Sequence, residues 1–368
     1  MLLNDIIKRF VVEISRFNMM FTYQYVFLEY KMLFYWAQDK SVAFLYTVRM
    51  TPLLSIAPMI DWTYTHFRVF MRMLAPQALL YTEMQTPGAI MHNPAHALNF
   101  HAMELPLALQ IGGTDQIELV RSAQIAEQQG FTEINLNLGC PSDRVQAGRF
   151  GACLMAEPEH VARCIHALKR AVSIPVTAKT RIGIDHQDSY EFFSSFAHRL
   201  VDAGCDTLIV HARKAWLNGL SPKQNRTIPP LHYAYVYQIK KELPNVPIII
   251  NGNIQTLEEI ETHLKHVDGV MLGRLACQNP YAVACIHHAL YPDSPLLTRG
   301  ALLVEYVNYL QTVADSEHIS ISLLLKPILN MAYGMPNARL WKEQVLQIQR
   351  SRNIGSLLKT INDYFSAV

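Results

Sequence analysis

Four polar side chains in this 368-residue chain stand where short apolar runs give way to loops: Gln110, Cys140, Lys179 and His211. A lysine inside a buried strand is costly unless it meets an anion or a polar ligand. An amide such as Gln110 can pair with the mixed donor and acceptor edge of a heterocycle. Cys140 lies in Gly139-Cys140-Pro141, followed by a polar loop with Arg144 and Arg149, then Gly151-Ala152-Cys153. A thiol there could be a packing residue, a metal ligand, half of a disulfide or a reactive group. No second Cys or His lies at ligand spacing, which argues against a metal. The six cysteines, at 140, 153, 164, 205, 277 and 285, form no CxxC pair, and a chain of this size needs no disulfide staples. Cys164, and Cys153 with it, reads as packing. With an ordinary pKa of about 8.5 a thiol stays protonated near neutral pH, so Cys140 can give a proton as well as attack.

These residues need a frame that brings strand ends together. Eight apolar runs alternate with stretches of helical length: LLSIAPM (53–59), ALLYTEM (78–84), PLALQIGG (106–113), EINLNLGCP (133–141), IPVTAKTR (174–181), TLIVHAR (207–213), VPIIINGN (246–253) and GVMLGR (269–274). Between them, Asp115–Gln129 has helical apolar spacing, and Pro158 opens a helix with Val161, Cys164, Ile165 and Leu168 on one face. Thr256 with Glu259 is a capping-box pair, and Gly130 and Gly204 fall where helices should stop. Near-continuous apolar strands with crossovers argue for parallel strands buried on both faces. The pattern predicts an α/β fold, a closed (β/α)8 TIM barrel over residues 50–292. An open doubly wound sheet is the alternative, but APMIDW stands where it would carry a GxGxxG turn.

In such barrels chemistry sits at the C-terminal ends of the strands. Taken in order, those ends carry Ala57-Pro58-Met59, an apolar wall suited to a planar ring, then Glu83, Gln110, and Asn135, Asn137 and Cys140. Lys179-Thr180-Arg181, His211-Ala212-Arg213, Asn251-Gly252-Asn253 and Gly273-Arg274 follow. Loops after the last two strands form the recurrent phosphate site of this fold, with glycines admitting close backbone approach and Arg274 able to neutralise an anion. Singly, each residue has a structural reading. Jointly they describe a planar, phosphorylated cofactor, and FMN is the natural candidate; pyridoxal phosphate would need the lysine free and a partner for its ring nitrogen.

Half the residues are hydrophobic and the net charge is +2, which predicts no bulk affinity for nucleic acid or anionic membrane. Residues 1–49, rich in Phe, Tyr and Met but studded with charge, are read as an extension outside the main fold, with a start-site artefact before Met50 as one explanation and a membrane-surface helix as the alternative. Their apolar runs fall short of the ~20 residues of a membrane span, and no signal-peptide pattern is present. After Pro292 the strand pattern stops. Leu302–Val313, Ile321–Tyr333 and Trp341–Tyr364 read as helices of a small C-terminal helical domain, residues 293–368. Lys326, Arg339, Lys342, Arg350, Arg352 and Lys359 against Glu343 give it a local charge of +5 between 326 and 359, enough to grip a phosphate backbone.

With these residues set out, the chain from Ser55 to about Tyr291 resembles the tRNA-dihydrouridine synthases. The matching motifs are APMIDWT, LLYTEM, LALQIGG, EINLNLGCPSDRVQAGRFGACLM, VTAKTRIGID, IVHARKAWLNGLSPKQNR, NGNI and GVMLGR. Within the family, DRVQAGRFGACLM and HARKAWLNGLSPKQNR look like the branch acting at positions 20 and 20a. The resemblance implies a cytoplasmic flavoenzyme that uses NADPH to reduce the C5=C6 bond of a D-loop uridine. Hydride from FMN would reach C6, and Cys140 would give a proton to C5. Ala57, Pro58, Met59 and Gln110 would line the flavin. Lys179 and His211 would hydrogen-bond it, and Asn251, Gly252, Asn253, Gly273 and Arg274 would hold its phosphate side. Asn137 would touch the target nucleotide, and Lys223, Arg226, Arg339 and Lys342 would contact tRNA. No metal, membrane or obligate protein partner is implied. The loop Ser142–Gly151 would be a mobile cover. One departure is Asn251-Gly252-Asn253, where the family usually has NGG; asparagine tolerates left-handed backbone. The rivals are an FMN barrel acting on a small pyrimidine and a non-catalytic RNA-binding barrel.

Overall fold

The computed structural model describes residues 30–34, 45–49, 51–313 and 319–365. The chain divides into two units, residues 1–50 and 51–368. In the first, strands β1 (Tyr30–Phe34) and β2 (Leu45–Arg49) pair antiparallel, Tyr30 opposite Arg49. The membrane-surface helix weighed for the N-terminal extension falls outside the described residues.

The second unit is built on β3 (Leu54–Ile56), β4 (Leu79–Tyr81), β5 (Leu107–Ile111), β6 (Glu133–Leu138), β7 (Val176–Arg181), β8 (Thr207–His211), β9 (Ile248–Asn251) and β10 (Gly269–Leu272). All pairings are parallel, and β10 returns to β3 with Val270 opposite Leu54, so the barrel closes. Each apolar run contains one strand, and the strand is shorter than the run because the run ends leave the ladder to form the rim. Leu79, Tyr81, Ala108, Ile209, Ile249 and Met271 form one apolar cluster, apart from the larger core that includes Leu80, Leu109, Leu136, Leu208 and Ile250. Two separate apolar faces are what a strand covered inside and out requires.

The helix starts follow their caps. The Asp115 side chain accepts the Glu118 N–H at 2.9 Å ahead of Gln116–Gln128, and Thr256 with Glu259 forms the expected capping box. Helix Pro158–Ala171 buries Val161, Cys164, Ile165 and Leu168. Gly130 and Gly204 end helices at φ 93° and 99°.

Beyond the barrel, two expected helices are broken. Ile321–Tyr333 is an α-turn, Ile321–Leu325, followed by a tighter 3-10 turn, Lys326–Ile328. Pro327 has no N–H to give the Leu323 carbonyl, and that oxygen takes the Tyr64 hydroxyl at 2.9 Å instead. Trp341–Tyr364 is two helices, Ala338–Ser351 and Leu357–Phe365, separated where Arg352 turns left-handed at φ 56°. The C-terminal segment packs on helix Thr65–Leu74: the Phe70 and Tyr306 rings lie 4.9 Å apart, and His66 Nδ1 is 2.7 Å from the Tyr309 hydroxyl. Trp341, fully buried, donates its indole N–H to the Ile328 carbonyl at 3.0 Å. No helix among the described residues is long and apolar enough to cross a membrane.

A buried ion pair ties helix Thr65–Leu74 to the turn Ala102–Glu104. Arg68 Nε donates to Glu104 Oε2 with both side chains buried, and Glu104 also accepts the His101 N–H at 2.7 Å. Arg68→Leu strands a buried carboxylate, so the expected loss is about 3–5 kcal/mol. Urea unfolding measures it, and adding Glu104→Gln should recover part of the loss.

Candidate active site

The C-terminal ends of the strands surround a cavity of about 620 Å³. Strand β3 leads into it with Ala57, Pro58 and Met59, and β5 with Gln110. From β6 and its turn come Asn137, Gly139 and Cys140; from β7, Lys179 and Arg181; from β8, His211. The β9 and β10 ends complete the ring with Asn251, Gly252, Asn253, Gly273 and Arg274. Arg226 reaches the wall from the loop after β8, while Lys223 is exposed and outside the lining. Arg339 and Lys342 face solvent on helix Ala338–Ser351, also outside the cavity, and Arg339 Nε sits 2.7 Å from Glu343 Oε1.

Cys140 is held by backbone and leaves its sulfur available. Its N–H and that of Gly139 both donate to Asn137 Oδ1, at 3.0 and 3.1 Å. Its carbonyl accepts the Ala152 N–H at 2.9 Å. Gly151, at φ 77°, permits that approach, since a Cβ there would sit 2.5 Å from the Cys140 oxygen. The Cys140 sulfur is 3.5 Å from Ser142 Oγ. The loop expected as a mobile cover contains a helix, Asp143–Ala147, in which Val145 is buried and Gln146 Nε2 donates to the Pro141 and Leu217 carbonyls at 2.9 and 2.6 Å.

The cavity is electropositive. Lys179, Arg181, Arg226 and Arg274 line it against the acidic Asp61. Lys179 keeps some surface toward the cavity but lies deep among protein atoms, and this burial, reinforced by Arg181, pushes its ammonium down to about 7. Its amine donates to Asn251 Oδ1 at 3.3 Å. Burial first, then Arg181 and Lys179, hold His211 well below the usual histidine range, so the ring is neutral at pH 7 and offers one donor and one acceptor. Arg181 braces the thiol-bearing turn: Nε donates to the Gly139 carbonyl at 2.8 Å, and Nη1 to those of Lys214 and Asn225 at 2.9 and 3.1 Å.

The Asn251-Gly252-Asn253 turn accommodates its unusual third residue. Asn253 is left-handed at φ 55°, and its Oδ1 accepts from Arg274 Nη2 at 3.1 Å. Gly252, at φ 135°, passes 3.1 Å from His211 Cδ2 at the position a Cβ would take, and its carbonyl accepts the Tyr233 hydroxyl. Arg181, Ser142 and Tyr233 were not selected as site residues from the sequence. Arg181 carried a signal, since Lys179 and Arg181 are two apart in a buried strand and share a face. Tyr233 carried none, because its partner is a backbone oxygen of a distant turn.

Comparison with known proteins identifies the family of the chain. A family model described as dihydrouridine synthase (Dus) matches residues 55–366. The tRNA-dihydrouridine(20/20a) synthase of Shewanella oneidensis is 49% identical over 306 residues, 82% of this chain and 90% of that protein. Those of Pasteurella multocida and Synechocystis are 47% and 49% identical, over 85% and 78% of this chain and 95% and 87% of theirs. A solved 2-naphthoyl-CoA reductase in complex with 2-naphthoyl-CoA superposes with a TM-score of 0.51 at 9% identity, over 64% of this chain and 50% of that one, a likeness of fold. The chain belongs to the dihydrouridine synthase family.

Proposed function

We propose that this protein reduces the C5=C6 bond of a tRNA D-loop uridine to 5,6-dihydrouridine, at positions 20 and 20a as its relatives' names indicate. In this reading it uses FMN and draws electrons from NADPH. The observation that carries the reading is Cys140: a thiol fixed through its backbone, with its sulfur at the rim of an electropositive cavity.

The residues fit FMN. Lys179 is a deeply placed amine that donates to the Asn251 side-chain oxygen, the kind of group an anionic ligand would stabilise. Lys179 and His211 would hold the ring, with Ala57, Pro58, Met59 and Gln110 against it. Arg274 and the Asn251–Asn253 turn, with Gly273, would hold the phosphate. Reduced FMN would supply the hydride for C6. Cys140 would then deliver its proton to C5, and the Ser142 hydroxyl would donate to the thiolate left behind.

Residues 293–368 act in this reading as a tRNA-binding helical domain. Arg339 and Lys342, with Lys223 and Arg226 from the β8 loop, meet the RNA backbone, and Asn137 has one amide N–H left for the target nucleotide. The Arg339–Glu343 pair is exposed and costs little to break. Removing Arg339 and Lys342 together should weaken tRNA binding and lower the slope of log affinity against log salt by about 2, measured by filter binding. The functional test is direct: protein reconstituted with FMN should oxidise NADPH and form dihydrouridine in tRNA transcripts. A colourless protein with no product refutes it.

A further inference from the structure

Strand β6 is buried along its whole length, yet every second residue is polar: Glu133, Asn135 and Asn137. A period of two places all three on one face, and their bonds run across β5, β6 and β7. Barrel interiors are ordinarily filled by apolar layers. The register explains the contacts: Asn135 stands opposite Gln110 on β5 and opposite Thr177 on β7.

The direction of every bond follows from the first. Asn137 Oδ1 receives two backbone N–H groups, from Gly139 and Cys140, and only an oxygen can accept both. Asn137 Nδ2 must then donate, and it does so to Gln110 Oε1 at 2.8 Å. Gln110 Nε2 donates to Asn135 Oδ1, and Asn135 Nδ2 to Thr177 Oγ1, both at 2.8 Å. The Thr177 hydroxyl donates to Glu133 Oε1 at 2.6 Å, where the Tyr81 hydroxyl also donates at 2.8 Å. Every donor in the file points from the Cys140 turn toward one carboxylate. Glu133 Oε1 accepts from both Thr177 and Tyr81, which ends the file at that side chain, and aligned bonds polarise one another.

We propose that Glu133 and Thr177 are positioning residues for Cys140. From deep in the barrel they close the file whose direction the Cys140 turn sets, and so hold the Gln110 and Asn137 amides in that orientation. They thereby set both the seat of the thiol and the donor pattern that Gln110 shows to a ring in the cavity. The second part rests on the flavin reading above; the first does not.

Thr177→Val keeps the side-chain shape and removes the link, leaving Asn135 Nδ2 without its acceptor and loosening the amides above it. Thr177→Ser keeps the hydroxyl. The first readout needs no cofactor: the pH dependence of iodoacetamide alkylation at Cys140, resolved from the other cysteines by peptide mass. Lys179, Arg181 and Arg226, cations that line the same cavity as the thiol, are untouched in these variants. A shift therefore reports the seat. The Thr177→Val midpoint should move by at least ~0.5 pH unit, with Thr177→Ser at the wild-type value. The second readout is single-turnover dihydrouridine formation from pre-reduced enzyme. It should fall about 10-fold in Thr177→Val, the scale of one lost buried hydrogen bond, and recover in Thr177→Ser. Should Thr177→Val not fold, Glu133→Met removes the acceptor and is read by the same alkylation profile, with the same shift expected. Unchanged profiles and rates overturn the proposal. If wild-type protein forms no dihydrouridine, the functional reading fails, while the alkylation profile still decides the positioning claim.

Discussion

Replacing Cys140 by alanine is expected to cut dihydrouridine formation by about 10²–10⁴-fold, the range for a lost general acid, while FMN and tRNA binding stay near wild type. The separation follows from how the residue is held. Its backbone makes the bonds that shape the turn, to Asn137 and Ala152, and these survive the substitution. Its sulfur meets Ser142 Oγ at 3.5 Å and otherwise opens onto the cavity. Cys140→Ser should also be slow, since a hydroxyl is a far weaker acid than a thiol. Single-turnover assays with pre-reduced enzyme isolate this step from flavin reduction. Full activity in Cys140→Ala would remove the thiol from the mechanism.

Lys179→Met is expected to act with opposite signs on stability and on cofactor binding. The folded pKa of Lys179 is about 7, below its ordinary 10.5. Between those values the unfolded chain binds more protons than the folded one, so the stability of cofactor-free protein rises with pH across that window. Below pH 7 both states are protonated and the full cost of the buried charge is present. Methionine removes the charge and keeps the bulk. The cofactor-free variant should melt at least ~2 °C higher at pH 7 and lose that component of the pH dependence. Its affinity for FMN should fall about 10–100-fold, the worth of a hydrogen bond to a charged donor. A functional site commonly carries this kind of local destabilisation. Differential scanning calorimetry and flavin titration measure the two effects. A variant that is less stable and binds FMN as tightly would contradict the account.

The barrel was readable because its strands are buried on both faces, so IPVTAKTR and VPIIINGN stand out as apolar runs against amphipathic helices. Lys179 was readable for the same reason, as a charge where burial forbids one without a partner. The capping box at Thr256 and the stops at Gly130 and Gly204 are local chemistry and were legible as such. What escaped depends on distant contacts. The apolar pattern of Ile321–Tyr333 continues past Pro327, and only the structure shows Tyr64 taking the freed Leu323 carbonyl. Arg352 turns left-handed although Asn353 beside it is the better local candidate. Arg149 and Gly151, which follow the short helix after Cys140, are likewise left-handed, and that helix exists because Val145 finds a buried position. The polar file on β6 was visible as E-x-N-x-N, but its direction depends on the register of β5 and β7.

The most direct test is nucleotide-resolved mapping of dihydrouridine in tRNA from a strain lacking this gene, complemented with wild-type protein or with Cys140→Ala. The account predicts that D-loop dihydrouridine at positions 20 and 20a is absent in the deletion, restored by wild type and still absent with the alanine variant. Restoration by both proteins, or an unaltered dihydrouridine map in the deletion, would contradict it.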